Sequence, residues 1–329
     1  MKILLTGKNG QLGWELQRTL STLGEVIALG QADMDLANAD AISKICRDVK
    51  PNLIVNPAAY TAVDKAETEP ALALAINGIA PGILAQEAQR LGAALIHYST
   101  DYVFDGRKNT PYTEQDIPNP QNIYGSSKLA GERAIQAVDA PHLILRTAWV
   151  YGRRGKNFLL TMQRLAREKP LLKVVDDQIG APTWCRLLAE ATAQIVAQAI
   201  AAPRGGASSI LNPSLRSPAA LAEPFANALP CAADVAGYIR QHSGIYHMTS
   251  AGQTSWHGFA SAILGGEAGV VSGREAGATT QLQPIPSIEY LTPAARPAYS
   301  VLDNTQLAQT FGVILPDWLT ALEMVLAES

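Results

Sequence analysis

The chain has 329 residues, 47% of them hydrophobic and 17% charged, with a net charge of −3. That length allows one large domain with a smaller companion and a sizeable core, and the charge balance excludes a basic nucleic-acid face or a long disordered acidic tail. Cys46, Cys185 and Cys231 are odd in number and far apart, so neither a disulfide framework nor a zinc ribbon is expected and a reducing compartment fits. The apolar start at Met1 is too short for a secretory segment and no run of about 18 apolar residues follows, so no membrane segment and a cytoplasmic location are expected. The five histidines show no ligand spacing, and no metal is expected.

Ile3-Leu4-Leu5 reads as the first strand, and Gly7-Lys8-Asn9-Gly10-Gln11-Leu12-Gly13 follows it directly. The Gly-x-x-Gly-x-x-Gly spacing between a strand and a helix suits a dinucleotide. Gly7 permits the turn, Gly10 lets backbone approach a pyrophosphate, and Gly13 lets helix pack on strand. A plain glycine-rich turn is the structural alternative. Leu12, Leu16, Leu20 and Leu23 share a face of the next helix, which Gly24 stops. Val26 to Leu29 forms strand two, which ends in Gly30-Gln31. With no carboxylate there for a ribose hydroxyl and no arginine for a 2′-phosphate, tolerance of both NADH and NADPH is expected. Asp35 and Leu36 either meet the adenine or cap the next helix.

Leu53-Ile54-Val55 is the third strand, and Asn56-Pro57-Ala58-Ala59-Tyr60 after it has small residues where backbone passes a flat cofactor, or forms a simple turn. Leu95-Ile96 opens a run that ends in Ser99-Thr100, with Thr100 at the carboxyl end, where open α/β sheets bind ligands. Tyr124 and Lys128 are the one Tyr-x-x-x-Lys pair in the chain, one helical turn apart on a shared face. Free tyrosine titrates near pH 10, so acid/base work near neutrality asks for a shift of roughly three units, about 4 kcal/mol. An ammonium at i+4 and a cationic nicotinamide favour phenolate. Lys128 can also hold the nicotinamide ribose, and Thr100 can donate to a carbonyl oxygen. A surface helix carrying an unrelated Tyr and Lys is the alternative.

Leu143-Ile144-Leu145 is a fifth strand, and Arg146, Arg153, Arg154 and Lys156 cluster after it as phosphate ligands or as a solvated or structural face. This alternation predicts an α/β chain with a Rossmann-type doubly wound parallel sheet and a smaller mixed α/β substrate domain. Residues 1–147 are expected to bind dinucleotide, with about 186–202 and about 245–265 returning to that domain. Residues 148–185 and about 266–329 form the substrate portion, and the Pro/Gly/Ala-rich stretch 203–244 is an insertion of unknown role.

These residues resemble the extended short-chain dehydrogenase/reductase family. Longer runs narrow the resemblance: Asn56 to Glu67, Tyr98 to Gly106, Tyr124 to Glu132, Arg146 to Tyr151, Asp177 to Thr183, Ser255-Trp256 and Arg296-Pro297 are similar to the dTDP-4-dehydrorhamnose reductase branch. The resemblance implies hydride reduction of the C4 keto group of dTDP-4-dehydro-β-L-rhamnose to dTDP-L-rhamnose, with NADPH or NADH. It implies Tyr124 as proton donor, Lys128 as its tuner and Thr100 as the carbonyl-binding hydroxyl. It also implies that Thr100 and Asp101 contact the dTDP-sugar, that Trp149 packs on it, and that Gly10, Gln11, Leu12, Ala58, Ala59 and Tyr60 line the cofactor. Trp149 has a core-packing alternative, and Trp184, Trp256 and Trp318 read as packing residues.

The expected assembly is a monomer or homodimer without nucleic acid or membrane. Some relatives dimerise through a magnesium site built on glutamates; Glu15 alone fits that idea, with a helix-surface carboxylate as the alternative. Tyr102 stands where sugar-nucleotide dehydratases carry an acid, which argues against elimination. An epimerase on the same scaffold and a non-catalytic NAD(P)-binding regulatory subunit are the rival functions.

Overall fold

Short buried runs separated by amphipathic helices organise the first half of the chain. In the computed structural model, which describes residues 1–202, 234–265, 270–272 and 279–328, the order is β1 (Lys2–Leu5), α1 (Gln11–Thr19), β2 (Glu25–Ala28), α2 (Ala39–Val49), β3 (Leu53–Asn56), α3 (Val63–Ala66), α4 (Pro70–Leu74), α5 (Ala80–Leu91), β4 (Ala94–Thr100), α6 (Ile123–Gln136) and β5 (His142–Thr147). Then come β6 (Val150–Tyr151), α7 (Phe158–Glu168), β7 (Leu171–Val175), β8 (Ile179–Gly180), β9 (Thr183–Trp184) and α8 (Cys185–Ala201). The final part holds α9 (Val235–Gln241), β10 (Gly244–His247), β11 (Thr254–Ser255), α10 (Trp256–Leu264), β12 (Val270–Ser272), β13 (Thr279–Ile285), α11 (Thr305–Phe311) and α12 (Trp318–Ala327).

Each strand that feeds a helix must return in the same direction, so the six-stranded sheet in order β2-β1-β3-β4-β5-β10 is parallel throughout. Alternate residues face alternate layers. Ile3, Leu5, Val55, Ile96 and Leu145 join Leu16, Leu188 and Ile239 of α1, α8 and α9, while Leu4, Ile54, Leu95 and Ile144 join Ile42 of α2 and Leu84 of α5. Truncating such a wholly buried leucine or isoleucine to alanine costs about 2–5 kcal/mol. Strand order reverses between β1 and β3, the position at which doubly wound sheets open a ligand crevice at their carboxyl ends.

The second layer system is smaller. β7 pairs in parallel with β13, which pairs antiparallel with β12, and α10 packs on β7 and β13. The two-residue pairs β6–β9 and β8–β11 stand apart from both sheets. Two boundaries differ from expectation. Residues 234–244, read as the tail of the insertion, contain α9, whose Val235 and Ile239 are buried in the main core, followed directly by the edge strand β10. The remainder of that stretch, 203–233, lies outside the described residues. Of the residues expected to return over 245–265, β10 joins the central sheet, whereas α10 packs with the smaller one; its apolar length fits either layer, which is why the expectation fails for it.

The helical run Pro70–Leu91 is the one described helix long and apolar enough to cross a membrane, and 56% of that apolar window is buried inside the molecule. A π turn at Ala75–Ile79 interrupts it and carries Asn77.

Candidate active site

The site grows from the crevice between β1 and β3. Gly7 sits at φ +62, a left-handed conformation that favours glycine, and a Cβ there would lie 3.0 Å from the Ala58 Cβ of the loop after β3. The two turns therefore touch at the crevice. Gly10 N-caps α1 without any side-chain hydrogen bond, which leaves the first-turn N–H groups bare for an anion. A Cβ on Gly13 would run into the Gly7 carbonyl, so helix and turn pack as the spacing requires. The Asn157 side chain donates to Gln11 Oε1 at 2.8 Å, and Leu12 is buried in the core. This arrangement fits a dinucleotide pyrophosphate at the N-terminus of α1.

At the end of β2 the structure adds a residue that the sequence reading passed over. The chain turns after Gly30 and brings Asp33 back, so that its Oδ2 accepts from the Gly30 N–H at 2.8 Å and pairs with Lys8 of the glycine turn at 2.6 Å. The Lys8 ammonium and the Gly30 N–H hold the Asp33 carboxyl below its usual range. Asp35 accepts from the Ala37 N–H at 2.9 Å in a tight local turn, Leu36 is buried, and the cap of α2 is Asn38.

β4 delivers Thr100 and Asp101 to the crevice. Thr100 Oγ1 donates to Asp101 Oδ1 at 3.0 Å and accepts from the Tyr102 N–H at 3.2 Å. Burial pushes Asp101 up to about 6, against the Ser300 and Thr100 hydroxyls, and its Oδ2 has no hydrogen-bond partner among the described residues. α6 brings the phenol and the ammonium. Asn122 caps it by accepting from the Gly125 N–H at 2.7 Å. A Cβ at Gly125 would collide with the Tyr102 carbonyl, so the helix meets the end of β4 closely. The rings of Tyr102 and Tyr124 meet edge to face, 5.5 Å between centroids.

Tyr124 is pushed up to about 12 by burial, with the Thr100 hydroxyl pulling the other way. This direction reverses the sequence-based expectation of a phenol tuned downward. The Asp101 carboxylate adds to the effect of burial, and Lys128 Nζ donates to the Tyr98 carbonyl at 2.6 Å and meets His97 Nε2 at 3.2 Å. A phenol held protonated is the form that gives a proton. Burial lowers Lys128 to about 8, with Glu132 opposing.

Asn77, in the π turn, joins the parts. Its side chain accepts from the Tyr60 N–H at 2.8 Å, donates to the Tyr60 carbonyl at 3.0 Å and reaches Ser127 Oγ at 3.0 Å. π turns widen a helix by one residue and recur at functional sites. The loop Ala58-Ala59-Tyr60 is thus tied to α6, and the Tyr60 hydroxyl donates to Glu69 at 2.7 Å. Across the crevice Arg296 pairs with Asp64 at 2.9 Å, and the Asn122 side chain donates to the Ala295 carbonyl at 2.7 Å. The segment from the smaller layer therefore closes on the end of α6.

Other expected residues fall elsewhere. Arg146 is buried and makes a bidentate pair with Glu132 at 2.9 and 2.7 Å, so it is no phosphate arm. Its place inside β5, facing α6, gives it the structural role that was the alternative to a phosphate ligand. Arg153 donates to the Val325 carbonyl at 3.1 Å and Arg154 lies over the Trp14 ring. Glu15 pairs with Arg186 at 3.3 Å, and among the described residues no group of three or more His, Cys, Asp or Glu gathers as metal ligands. Trp149, at φ +46, stacks on Trp256 with centroids 3.5 Å apart and its indole lies against Gly180. Asn77 and His97 were missed because each is one polar residue in an apolar run, with no spacing to mark it.

Residues 1–210 and 215–329 match the family model described as RmlD substrate binding domain. The chain is 46% identical to a dTDP-4-dehydrorhamnose reductase of Burkholderia thailandensis, over 97% of this chain and 95% of that one. Among solved structures, a dTDP-4-dehydrorhamnose reductase of Clostridium acetobutylicum superposes with a TM-score of 0.80 at 36% identity, covering 100% of this chain and 99% of the other. A dTDP-4-dehydrorhamnose reductase of Bacillus anthracis, in complex with NADP, gives 0.79 at 31% identity, covering 100% of this chain and 99% of that one. With a family model matched along nearly its whole length and relatives this similar, the chain belongs to the dTDP-4-dehydrorhamnose reductase family.

Proposed function

We propose that this chain reduces the C4 keto group of dTDP-4-dehydro-β-L-rhamnose to dTDP-L-rhamnose, using NADPH or NADH. The observation that carries the reading is the gathering of Thr100, Tyr124 and Lys128 at the carboxyl end of β4, beside the crevice where the uncapped N-terminus of α1 meets the loop after β3. The glycine turn from Gly7 to Gly13 would hold the pyrophosphate, with Asp35 and Leu36 on the adenosine side and Ala58, Ala59 and Tyr60 beside the dinucleotide. Lys128, with two of its donors used by Tyr98 and His97, has a third for the nicotinamide ribose. Bound there, the reduced nicotinamide supplies the hydride.

With substrate bound, the one Thr100 hydroxyl proton turns from Asp101 Oδ1 to the substrate carbonyl oxygen and polarises it. As C4 gains the hydride, Tyr124 gives its proton to that oxygen, and the phenolate left behind is balanced by the nearby ammonium of Lys128. Asp101, with one buried oxygen open, accepts from a sugar hydroxyl, and Trp149 packs on the sugar. In the test, the purified chain is mixed with the dTDP-4-keto sugar and with NADPH or NADH in turn. Oxidation of the nicotinamide in step with formation of dTDP-L-rhamnose supports the reading. Interconversion of sugars without net cofactor use would instead support an epimerase, and no turnover a regulatory role.

A further inference from the structure

Four buried polar side chains form a row from the carboxyl ends of β1 and β3 through β4 to α6, and only Lys128 among them has a part in the mechanism above. Thr6 Oγ1 is 2.6 Å from Asn56 Oδ1, Asn56 is 3.0 Å from His97 Nδ1, and His97 Nε2 is 3.2 Å from Lys128 Nζ. All four are buried, Asn56 and His97 completely. Buried polar groups cost about 1–3 kcal/mol each when unpaired, and here each meets the next.

The chemistry of the groups constrains where the protons sit. An ammonium only donates, and Lys128 already gives one N–H to the Tyr98 carbonyl. His97 Nε2 must then present a lone pair, so the imidazole is neutral with its proton on Nδ1. Asn56 takes that proton on its amide oxygen and turns its NH2 toward Thr6, which exchanges the amide ends from the placement in which Thr6 donates to Oδ1 and Nδ2 faces His97; the network rather than the heavy-atom positions assigns the two ends of an amide. The opposite amide orientation sets Nε2–H against Nζ, two donors face to face unless the lysine gives up its charge. Burial, with Lys128 beside it, holds His97 well below the usual imidazole range, so it stays neutral.

We propose that His97 is a positioning residue for Lys128: its Nε2 accepts from the ammonium, fixes where the charge sits and keeps it on the lysine, while Asn56 and Thr6 hold the imidazole tautomer that can accept. The inference rests on the reductase reading, in which Lys128 serves Tyr124 and the cofactor ribose. Other groups around α6 leave this role to His97. On α6 itself Glu132 is claimed by Arg146 of β5, and Tyr124 meets Tyr102. At the end of β4, Asp101 bonds Thr100, and the Tyr98 phenol bonds Thr192. Asp64 of α3 pairs with Arg296, Glu67 accepts from the Ile123 N–H, and Glu87 of α5 is taken by Arg47.

The test compares wild type with His97→Leu and His97→Gln, because glutamine offers an acceptor near the place of Nε2 and does not titrate. His97→Leu is expected to lower kcat about 10- to 100-fold, the loss of one hydrogen bond to a charged group. The alkaline limb of its kcat profile is expected to move down by roughly one pH unit, since an ammonium without its acceptor loses its proton sooner. His97→Gln recovers most of both. Carbon-13 NMR of the Lys128 ε-carbon in the protein without cofactor reads the same effect independently: its titration midpoint falls in His97→Leu and returns in His97→Gln. A folded His97→Leu whose turnover and lysine titration match wild type overturns the proposal, as does equal loss in both variants with the titration unmoved, the signature of packing alone. If His97→Leu does not fold, Thr6→Val carries the test, with a smaller shift in the same direction expected and an unmoved midpoint overturning it. Absence of turnover by the wild type would sink the reductase reading, while the lysine titration would still decide the role of His97.

Discussion

Burial holds Tyr124 protonated, the form that its proposed role as proton donor asks for. Tyr124→Phe keeps the ring and its contact with Tyr102 and removes only the proton, so kcat is expected to fall about 10²- to 10⁴-fold with cofactor affinity, measured by fluorescence titration, nearly unchanged. A second expectation concerns cofactor choice. Asp33 occupies the Lys8 ammonium at 2.6 Å, and Asp33→Asn frees that charge for a 2′-phosphate. The ratio of kcat/KM with NADPH to that with NADH is expected to rise about tenfold, of the order of one added charged hydrogen bond; a ratio that stays or falls would contradict this. The sequence shows Thr100, Tyr124 and Lys128 because they sit at a strand end and in a spaced pair. It hides Asp33 because the turn after Gly30, with the Met34 N–H donating to the Gly30 carbonyl at 3.0 Å, folds a residue three positions on back to the strand end.

At the scale of elements, α6 is placed by close backbone contacts at two glycines. A Cβ at Gly131 would run into the Asn77 carbonyl of the π turn, so Gly131→Ala is expected to cost about 1–3 kcal/mol and to lower kcat by displacing Tyr124 and Lys128 together. Denaturant unfolding and turnover measure the two effects. The strands and α1 were legible from period and glycine spacing. The π turn was not, because Ala75 to Ile79 has no residue that distinguishes a widened turn from a regular one; tertiary demand from Tyr60 and Ser127 makes it. The turn after β4 also carries a pH dependence. Asp101 is raised by burial from an ordinary 3.8 to about 6, so folding favours its protonated form; that contribution is full below about pH 4 and lost as pH rises through about 6. Asp101→Asn is therefore expected to stabilise the protein by up to about 3 kcal/mol near pH 8 and by almost nothing near pH 4, while weakening use of the dTDP-sugar. Thermal unfolding of both proteins across that range checks it; a gain that grows toward acid would contradict the account.

Across the whole molecule, one parallel sheet supplies the cofactor crevice and the strand end that carries Thr100, and the segment after β13 reaches α3 and the start of α6 through Arg296 and Ala295. The alternation of apolar runs disclosed the sheet, since each run feeds a crossover helix. How the later residues divide between the two sheets was less legible, because an apolar helix such as α10 fits either layer and only its packing on β7 and β13 decides. In the proposed reaction Asp101 and the smaller part would hold the sugar, and the larger part would bring hydride and proton. The most direct measurement follows the hydride itself. With NADPH carrying deuterium on the transferred position of the nicotinamide, the dTDP-sugar product is expected to carry that deuterium at C4, and Tyr124→Phe to form it far more slowly. Product without deuterium at C4, or no product while the cofactor binds, would contradict the account.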